Sequence, residues 1–388
     1  MLDGLINGIF NGISIGAVLL IVALGLAIVF GLMGVINLAH GELMMLGAYT
    51  TYVVQNGFKS LGDGVQDFYI WLALPLSFLV AALVGLLLER SVIRLLYGRP
   101  LETLLATWGV SLILQQFVRS VSWSLVFGLL VLCLLLFGGR AALTRFANLG
   151  PRKPLANFVV LVLSIGIGFT LGRSLGGNET LAKPWFSARN VDVTAPAWLQ
   201  DSIQLTDTLS FPAARLFIIA LTLVCLVGTF WFLNGSAWGL RIRAVTQNRD
   251  MSACLGIRTN QVDALTFALG SGLAGIAGCA VTLLGSVGPN LGSNYIVDAF
   301  MVVVVGGVGK LIGSIVAALL IGIISYILGS GTLVLMLPSG EALQPLIDLA
   351  TFFATTSMAK VLVFALIIAF LQVKPAGLFP QKGRSVEV

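Results

Sequence analysis

Apolar runs of about twenty residues recur between positions 9 and 370, separated by hydrophilic gaps mostly too short to hold a soluble domain. About twenty residues is the length a helix needs to cross the hydrocarbon of a bilayer. Soluble domains carry about a quarter charged residues; this chain of 388 carries 10%, with 58% hydrophobic, and therefore reads as an integral membrane protein. The runs are continuous and do not alternate, which argues against a β-barrel. The prediction is an all-α, polytopic helical bundle forming a single transmembrane domain over 1–388. It has about nine to eleven membrane helices and a re-entrant or broken segment.

Asp3 is the only charge near the N-terminus and Lys59 is the first basic residue, so the first run lacks the basic flank of a signal peptide and is expected to stay as a helix. Basic residues collect at 90–99, 140–153, 241–258 and 374–384, which the positive-inside rule assigns to the cytoplasm. Threading spans between them places the N-terminus outside and the C-terminus in the cytoplasm. Helices are predicted near 9–30, 40–56, 70–94, 102–120, 123–138, 156–172, 213–233, 262–284, 296–309, 311–329 and 358–373. Two of these runs make 120–175 an inserted helical hairpin, 176–212 reads as an outside loop with Trp185 and Trp198 at the interface, and 239–260 is a cytoplasmic segment. The net charge of +6 lies in the short basic loops, as a topology signal and not as a nucleic-acid footprint. The four cysteines, Cys133, Cys225, Cys254 and Cys279, lack ligand-type spacing, and a lone histidine cannot complete a metal site.

That histidine, His40, stands in Gly34-Val-Ile-Asn-Leu-Ala-His-Gly-Glu42, which interrupts the first apolar region. Unpaired polar groups in hydrocarbon are costly, so Asn37, His40 and Glu42 should face protein or water. Gly34 and Gly41 let the backbone turn, and a helix starting near His40 would aim its free N–H groups toward the turn, as broken helices do in transporters. Thr107, Ser111 and Gln115 lie at helical spacing in a later span and could line the same path; helix capping and interhelical hydrogen bonding are the plainer alternatives. A second glycine-rich turn, 306–309 followed by an apolar helix, echoes the first.

The stretch 241–257 reads as a short amphipathic helix, with Ala244, Asn248, Met251 and Leu255 at a period near 3.6 and Gly256 as its stop. Such a helix can lie on the membrane surface or dock into a groove of another protein. In Phe267-Ala-Leu-Gly-Ser-Gly-Leu-Ala-Gly-Ile-Ala-Gly278, the residues Gly270, Ala274 and Gly278 share one face, and Ser271 and Gly275 form a second row, a pattern for close helix packing. Gly12-Ile-Ser-Ile-Gly16 matches the G-x-S-x-G pattern of serine hydrolases, but the only available base, His40, is placed across the membrane from Ser14.

Taken together, 34–42 with Gly47-Ala-Tyr49, the segment 243–256, the row 267–278, Val305-Gly-Gly-Val-Gly309 and Lys374-Pro-Ala-Gly-Leu-Phe-Pro380 resemble the permease subunits of ABC importers of the branched-chain amino acid and urea type. Within that family the stretch 99–116 is most similar to the urea permease B subunit, which implies urea as the solute, with branched-chain amino acids as the alternative and a passive channel as a further one. The resemblance implies alternating access in the inner membrane of a bacterium. It also implies a second permease forming a heterodimer, two cytoplasmic ATPases, and a solute-binding protein that docks outside. Arg243, Gln247, Asn248, Asp250, Met251 and Gly256 would then belong to the segment that meets an ATPase. ATP would bind the partners, in keeping with the absence here of a phosphate loop, so this chain is expected to be a non-enzymatic transport subunit without a cofactor of its own.

Overall fold

The computed structural model describes residues 2–59, 66–146, 184–186, 190–206, 209–332 and 354–379, with isolated positions at 160–174 and at 351–352. Among these, six helices are long and apolar enough to cross a membrane, and three shorter apolar helices accompany them. The expected all-α polytopic bundle is therefore what the chain forms. The chain packs as two compact units, Met1–Ser111 with Asp192–Val388, and Leu112–Val191.

In the first unit, α1 (Leu2–Met33) and the long helix α9 (Thr259–Thr282) form the centre. Their apolar windows are 83% and 78% buried, whereas those of α3 (Tyr69–Ser91) and α6 (Ala213–Gly235) are only 28% and 22% buried. A helix that is apolar all round belongs in the interior. Outer helices expose rows such as Leu79, Leu83 and Leu87, or Val224, Val227 and Trp231, which in water would be an aggregation surface and in a bilayer face lipid.

The remaining helices of this unit are α2 (His40–Lys59), α7 (Ala237–Gln247), α8 (Arg249–Cys254), α10 (Leu291–Gly306), α11 (Leu311–Gly329) and α12 (Thr356–Val373). Helix α4 (Pro100–Ser120) begins in this unit and ends in the second, which also contains α5 (Trp123–Phe146). Most of the second run of the expected hairpin, 156–172, lies outside the described residues. The stretch expected as an outside loop contains regular structure among its described residues. It holds a helical turn, Ala197–Gln200, and an antiparallel pair, β1 (Ser202–Thr206) and β2 (Leu209–Pro212), in which Ile203 opposes Phe211. In the second unit, the rings of Trp123 and Trp185 meet edge to face at 4.7 Å.

The small-residue rows of α9 do what their spacing suggests. A Cβ on Gly270 would strike Gly25 of α1, and one on Gly278 would strike the Met44 carbonyl of α2. The second row faces α3, with Gly275 against the Ser77 carbonyl and Ser271 against Gly85. Lipid tails are as apolar as leucine, so such backbone approach and van der Waals contact are what hold membrane helices together. Gly12 and Gly16 serve α1 in the same way, against Ile323 and Ala318 of α11.

Candidate functional site

Helix α1 ends at Met33 because Gly34 adopts φ +68, a left-handed conformation closed to most side chains. The chain then runs non-helically for six residues and restarts at His40. Its imidazole Nε2 lies 3.2 Å from the Val22 carbonyl, and Val22 is eleven residues back from the end of α1. At 1.5 Å per residue, α2 starts about 17 Å back along α1, inside the bundle and not at its end. The break is therefore a re-entrant segment, deeper than a turn at the membrane face.

Asn37 shapes the restart, its Oδ1 accepting from the Ala39 N–H at 3.1 Å. Thr107 of α4 holds the segment from the side, accepting from the Leu38 N–H at 3.2 Å. Ser111, one turn further along α4, donates to Glu42 Oε1 at 3.1 Å. Asn37, His40, Glu42, Thr107 and Ser111 are thus brought together, and all are buried. Gln115 belongs to the second unit.

The nonhelical stretch 283–290 leads into α10, whose first turn meets the first turn of α2: the backbone of Gly292 occupies the space where a Cβ on Gly41 would go. A Cβ on Gly292 would in turn lie 2.8 Å from the Glu42 carboxyl carbon. Two helix N-termini, each carrying about half a positive charge, therefore converge on one buried acid. Asn37 Nδ2 and His40 Nδ1 are buried without a hydrogen-bond partner among the described residues. Each such group costs about 1–3 kcal/mol, so the arrangement is not what stability alone would select. Ser14 lies eight residues before Val22, about 12 Å along α1 from the carbonyl that His40 touches, so a Ser14–His40 hydrolase pair is not formed.

The two glycine turns abut. A Cβ on Gly31 would strike the backbone of Gly309, and the closing Lys374-Pro-Ala-Gly-Leu-Phe segment docks on the same place, where the Leu378 N–H donates to the Val305 carbonyl at 2.8 Å.

The segment expected as one amphipathic helix is two. Asn248 is extended and uses its side chain to cap α8, accepting from the Met251 N–H at 3.0 Å, so α7 stops at Gln247. The predicted stripe through Asn248 is broken at that residue. Gly256 does end α8, with φ +83 and the paired bonds Gly256 N–H to Ala253 and Ile257 N–H to Ser252 that close such a terminus. Helix α7 buries Ile242 and Val245 against Leu233 and Val262, while Arg243, Gln247, Asp250, Met251 and Leu255 stay exposed. Arg243 donates to Asn234 at 3.3 Å.

Sequence reasoning missed the residues that tie this segment to the bundle. Arg249 pairs with Asp263 of α9 at 2.6 Å and lies over the Tyr97 ring at 5.0 Å, and the Tyr97 hydroxyl donates to Glu89 of α3 at 3.4 Å. Burial pushes the Tyr97 hydroxyl well above its ordinary range, with Asp263 and Glu89 adding to the effect. The available signal was Glu89 and Asp263 themselves, since an acid inside a membrane helix needs a partner.

The family described as the branched-chain amino acid transport system permease component matches residues 8–371. The high-affinity branched-chain amino acid transport system permease protein LivH of Salmonella typhimurium is 26% identical over 376 residues, covering 95% of this chain and 93% of the relative. LivH of Escherichia coli K12 aligns to the same extent at 26% identity. The permease protein BraD of Pseudomonas aeruginosa is 24% identical, covering 81% of this chain and 82% of its own. No solved structure matches.

Proposed function

The chain belongs to the family of branched-chain amino acid transport system permease components, and on that premise we propose that it is the membrane subunit of an ATP-driven importer whose solute is a branched-chain amino acid. The observation that carries the choice of solute is the convergence of the α2 and α10 N-termini on buried Glu42. A zwitterion needs a positive end for its carboxylate and an acceptor for its ammonium, and two helix N-termini beside one acid supply both. Urea needs only hydrogen bonds and gives no reason to bury a carboxylate. The names of the relatives favour the amino acid as well.

Asn37, His40, Thr107 and Ser111 would complete the path with neutral donors and acceptors. With Asn37, His40 and Glu42 at 0–1% exposure, this conformation is closed at the site. Transport then requires α2 and α10 to part, which is the alternating-access step. ATP hydrolysis in two partner ATPases would drive it through α7 and α8, whose Met251 and Leu255 are 60% and 77% exposed. A second permease and an outside solute-binding protein complete the assembly, with α7 and α8 on the cytoplasmic side.

The test is uptake of labelled leucine and labelled urea into vesicles holding the assembled transporter, with and without ATP. ATP-dependent leucine uptake that Glu42→Gln abolishes is the expected result. ATP-dependent uptake of urea alone overturns the solute, and flux without ATP overturns the importer.

A further inference from the structure

A recess runs along the lipid-facing side of the first unit. Its apolar arm, about 790 Å³, lies between α3, α6 and α9 and is lined by Leu79, Leu83 and Leu86 from α3 and Ala268 from α9. At one end the lining changes to Arg90, Trp238 and Gln261. Trp238 and Gln261 also line a second cavity of about 460 Å³, with Arg241 and Arg258. The two cavities share Trp238 and Gln261, and together they make one recess with a greasy arm and a cationic head.

The head is built for an anion. Arg90, Arg241 and Arg258 are exposed, and none is in an ion pair among the described residues. Of the buried acids on α3 and α9, Asp263 takes Arg249, and Glu89, which feels the Arg90 charge without forming an ion pair with it, takes the Tyr97 hydroxyl. The Arg241 guanidinium lies 4.8 Å over the Trp238 ring, an arrangement that fixes its plane and leaves its N–H fork free. Guanidinium groups bind phosphate oxygens in pairs of parallel hydrogen bonds. Tryptophan is at home where hydrocarbon gives way to headgroups. From Leu74 to Arg90, α3 offers about 24 Å of groove, more than the roughly 15 Å of one leaflet's hydrocarbon, so an extended acyl chain fits.

We infer that this recess holds one anionic phospholipid, with its phosphate between Arg90, Arg241 and Arg258 and an acyl chain along α3 and α9. Any lipid would fill the apolar arm; the basic head is what makes the site select charge. The bound lipid spans the junction of α7 with α3 and α9, and so bears on the segment proposed to meet the ATPase. The site itself does not depend on which solute is carried.

The experiment places the full-length chain in bilayer discs of equal phosphatidylglycerol and phosphatidylcholine, extracts it, and counts retained lipids by native mass spectrometry. The expected result is one retained lipid, phosphatidylglycerol preferred about tenfold. Arg90→Gln/Arg241→Gln/Arg258→Gln abolishes the preference, whereas the equally discharged control Arg99→Gln/Lys310→Gln/Lys374→Gln keeps it. Equal retention of both lipids by the unaltered chain overturns the inference without any variant, and so does loss of preference in the control. Glycerol phosphate, the head without its chains, should displace the lipid poorly; displacement as effective as by intact phosphatidylglycerol overturns the role of the groove.

Discussion

Removing the Arg249 guanidinium should destabilise the chain far more than its half-exposed position on a surface segment suggests. The Asp263 side chain it pairs with at 2.6 Å is only 5% exposed, whereas that of Arg249 is 44% exposed. Pairs in full solvent contribute about 0–1 kcal/mol, and breaking a fully buried pair costs about 3–5 kcal/mol because the remaining charge is left uncompensated. Arg249→Gln lies between these limits: the carboxylate is buried, but water replaces part of what the arginine gave. A loss of about 2 kcal/mol is expected once screening is allowed for. Part of that loss is the stranded charge, so Asp263→Asn in the same chain should restore about 1 kcal/mol. Equilibrium unfolding of the two single variants and the pair, in detergent, measures the coupling. Asp250→Asn, one residue away and exposed, is the comparison and should stay within about 0.5 kcal/mol. If Arg249→Gln also stays within that range, with no coupling to Asp263, α8 is not anchored by this pair and the reasoning fails.

Gly275→Leu should prevent folding, since the Ser77 carbonyl and Ala81 already fill the space, whereas Gly228→Ala, in open space on α6, should be neutral or add up to about 1 kcal/mol; yield of monodisperse protein separates them. Gly34→Ala should cost about 1–2 kcal/mol from its φ of +68 alone, because nothing lies within 4 Å of the new methyl group, and thermal unfolding reads it. Ser111→Ala should leave the fold intact but raise the concentration of leucine needed for half-maximal uptake, since Glu42 Oε1 loses a donor at 3.1 Å. Tyr97→Leu should cost about 0.5–1 kcal/mol more than Tyr97→Phe, since both lose the hydroxyl bond to Glu89 but only Leu loses the ring under Arg249, and that difference should vanish in an Arg249→Gln background.

Much of the fold was legible because hydrocarbon imposes its demand locally. The run predicted at 311–329 is α11, Leu311–Gly329, and that at 213–233 is α6, Ala213–Gly235, because each boundary is set by composition over a single segment. The two rows of α9 were legible for the same reason, since four-residue spacing on one helix fixes which residues share a face. What the residues could not disclose alone depends on distant partners. His40 fixes α2 inside the bundle through a carbonyl eighteen positions away, and Glu42 meets α10 only because Gly41 and Gly292 both lack side chains. Asn248 satisfies the helical period on paper, yet as an N-cap its side chain competes for the backbone N–H and divides the segment.

The same distinction bears on what the α7–α8 junction and the α2 restart leave unsatisfied. At the α7–α8 junction Asp263 has Arg249, Asn248 caps its helix, and Glu89 Oε1 has the Tyr97 hydroxyl, with only Glu89 Oε2 left without a hydrogen bond among the described residues. Such a junction would move as a body, as the proposed contact with an ATPase requires. At the α2 restart, Asn37 Nδ2 and His40 Nδ1 are held away from lipid and answered by nothing among the described residues. Each forgoes a bond worth about 1 kcal/mol net, and a bound polar solute that supplies it recovers that energy only while it is bound. A ligand shifts an equilibrium by its differential affinity for the two states. Unanswered donors and acceptors beside Glu42 would therefore couple occupancy to the opening of α2 against α10. On this argument, adding leucine should stabilise the unaltered chain against unfolding. Asn37→Leu, which removes one unanswered group together with the cap on the Ala39 N–H, should reduce the increment leucine provides. An Asn37→Leu chain that is less stable when empty, and still gains the full increment, would assign Asn37 to capping alone.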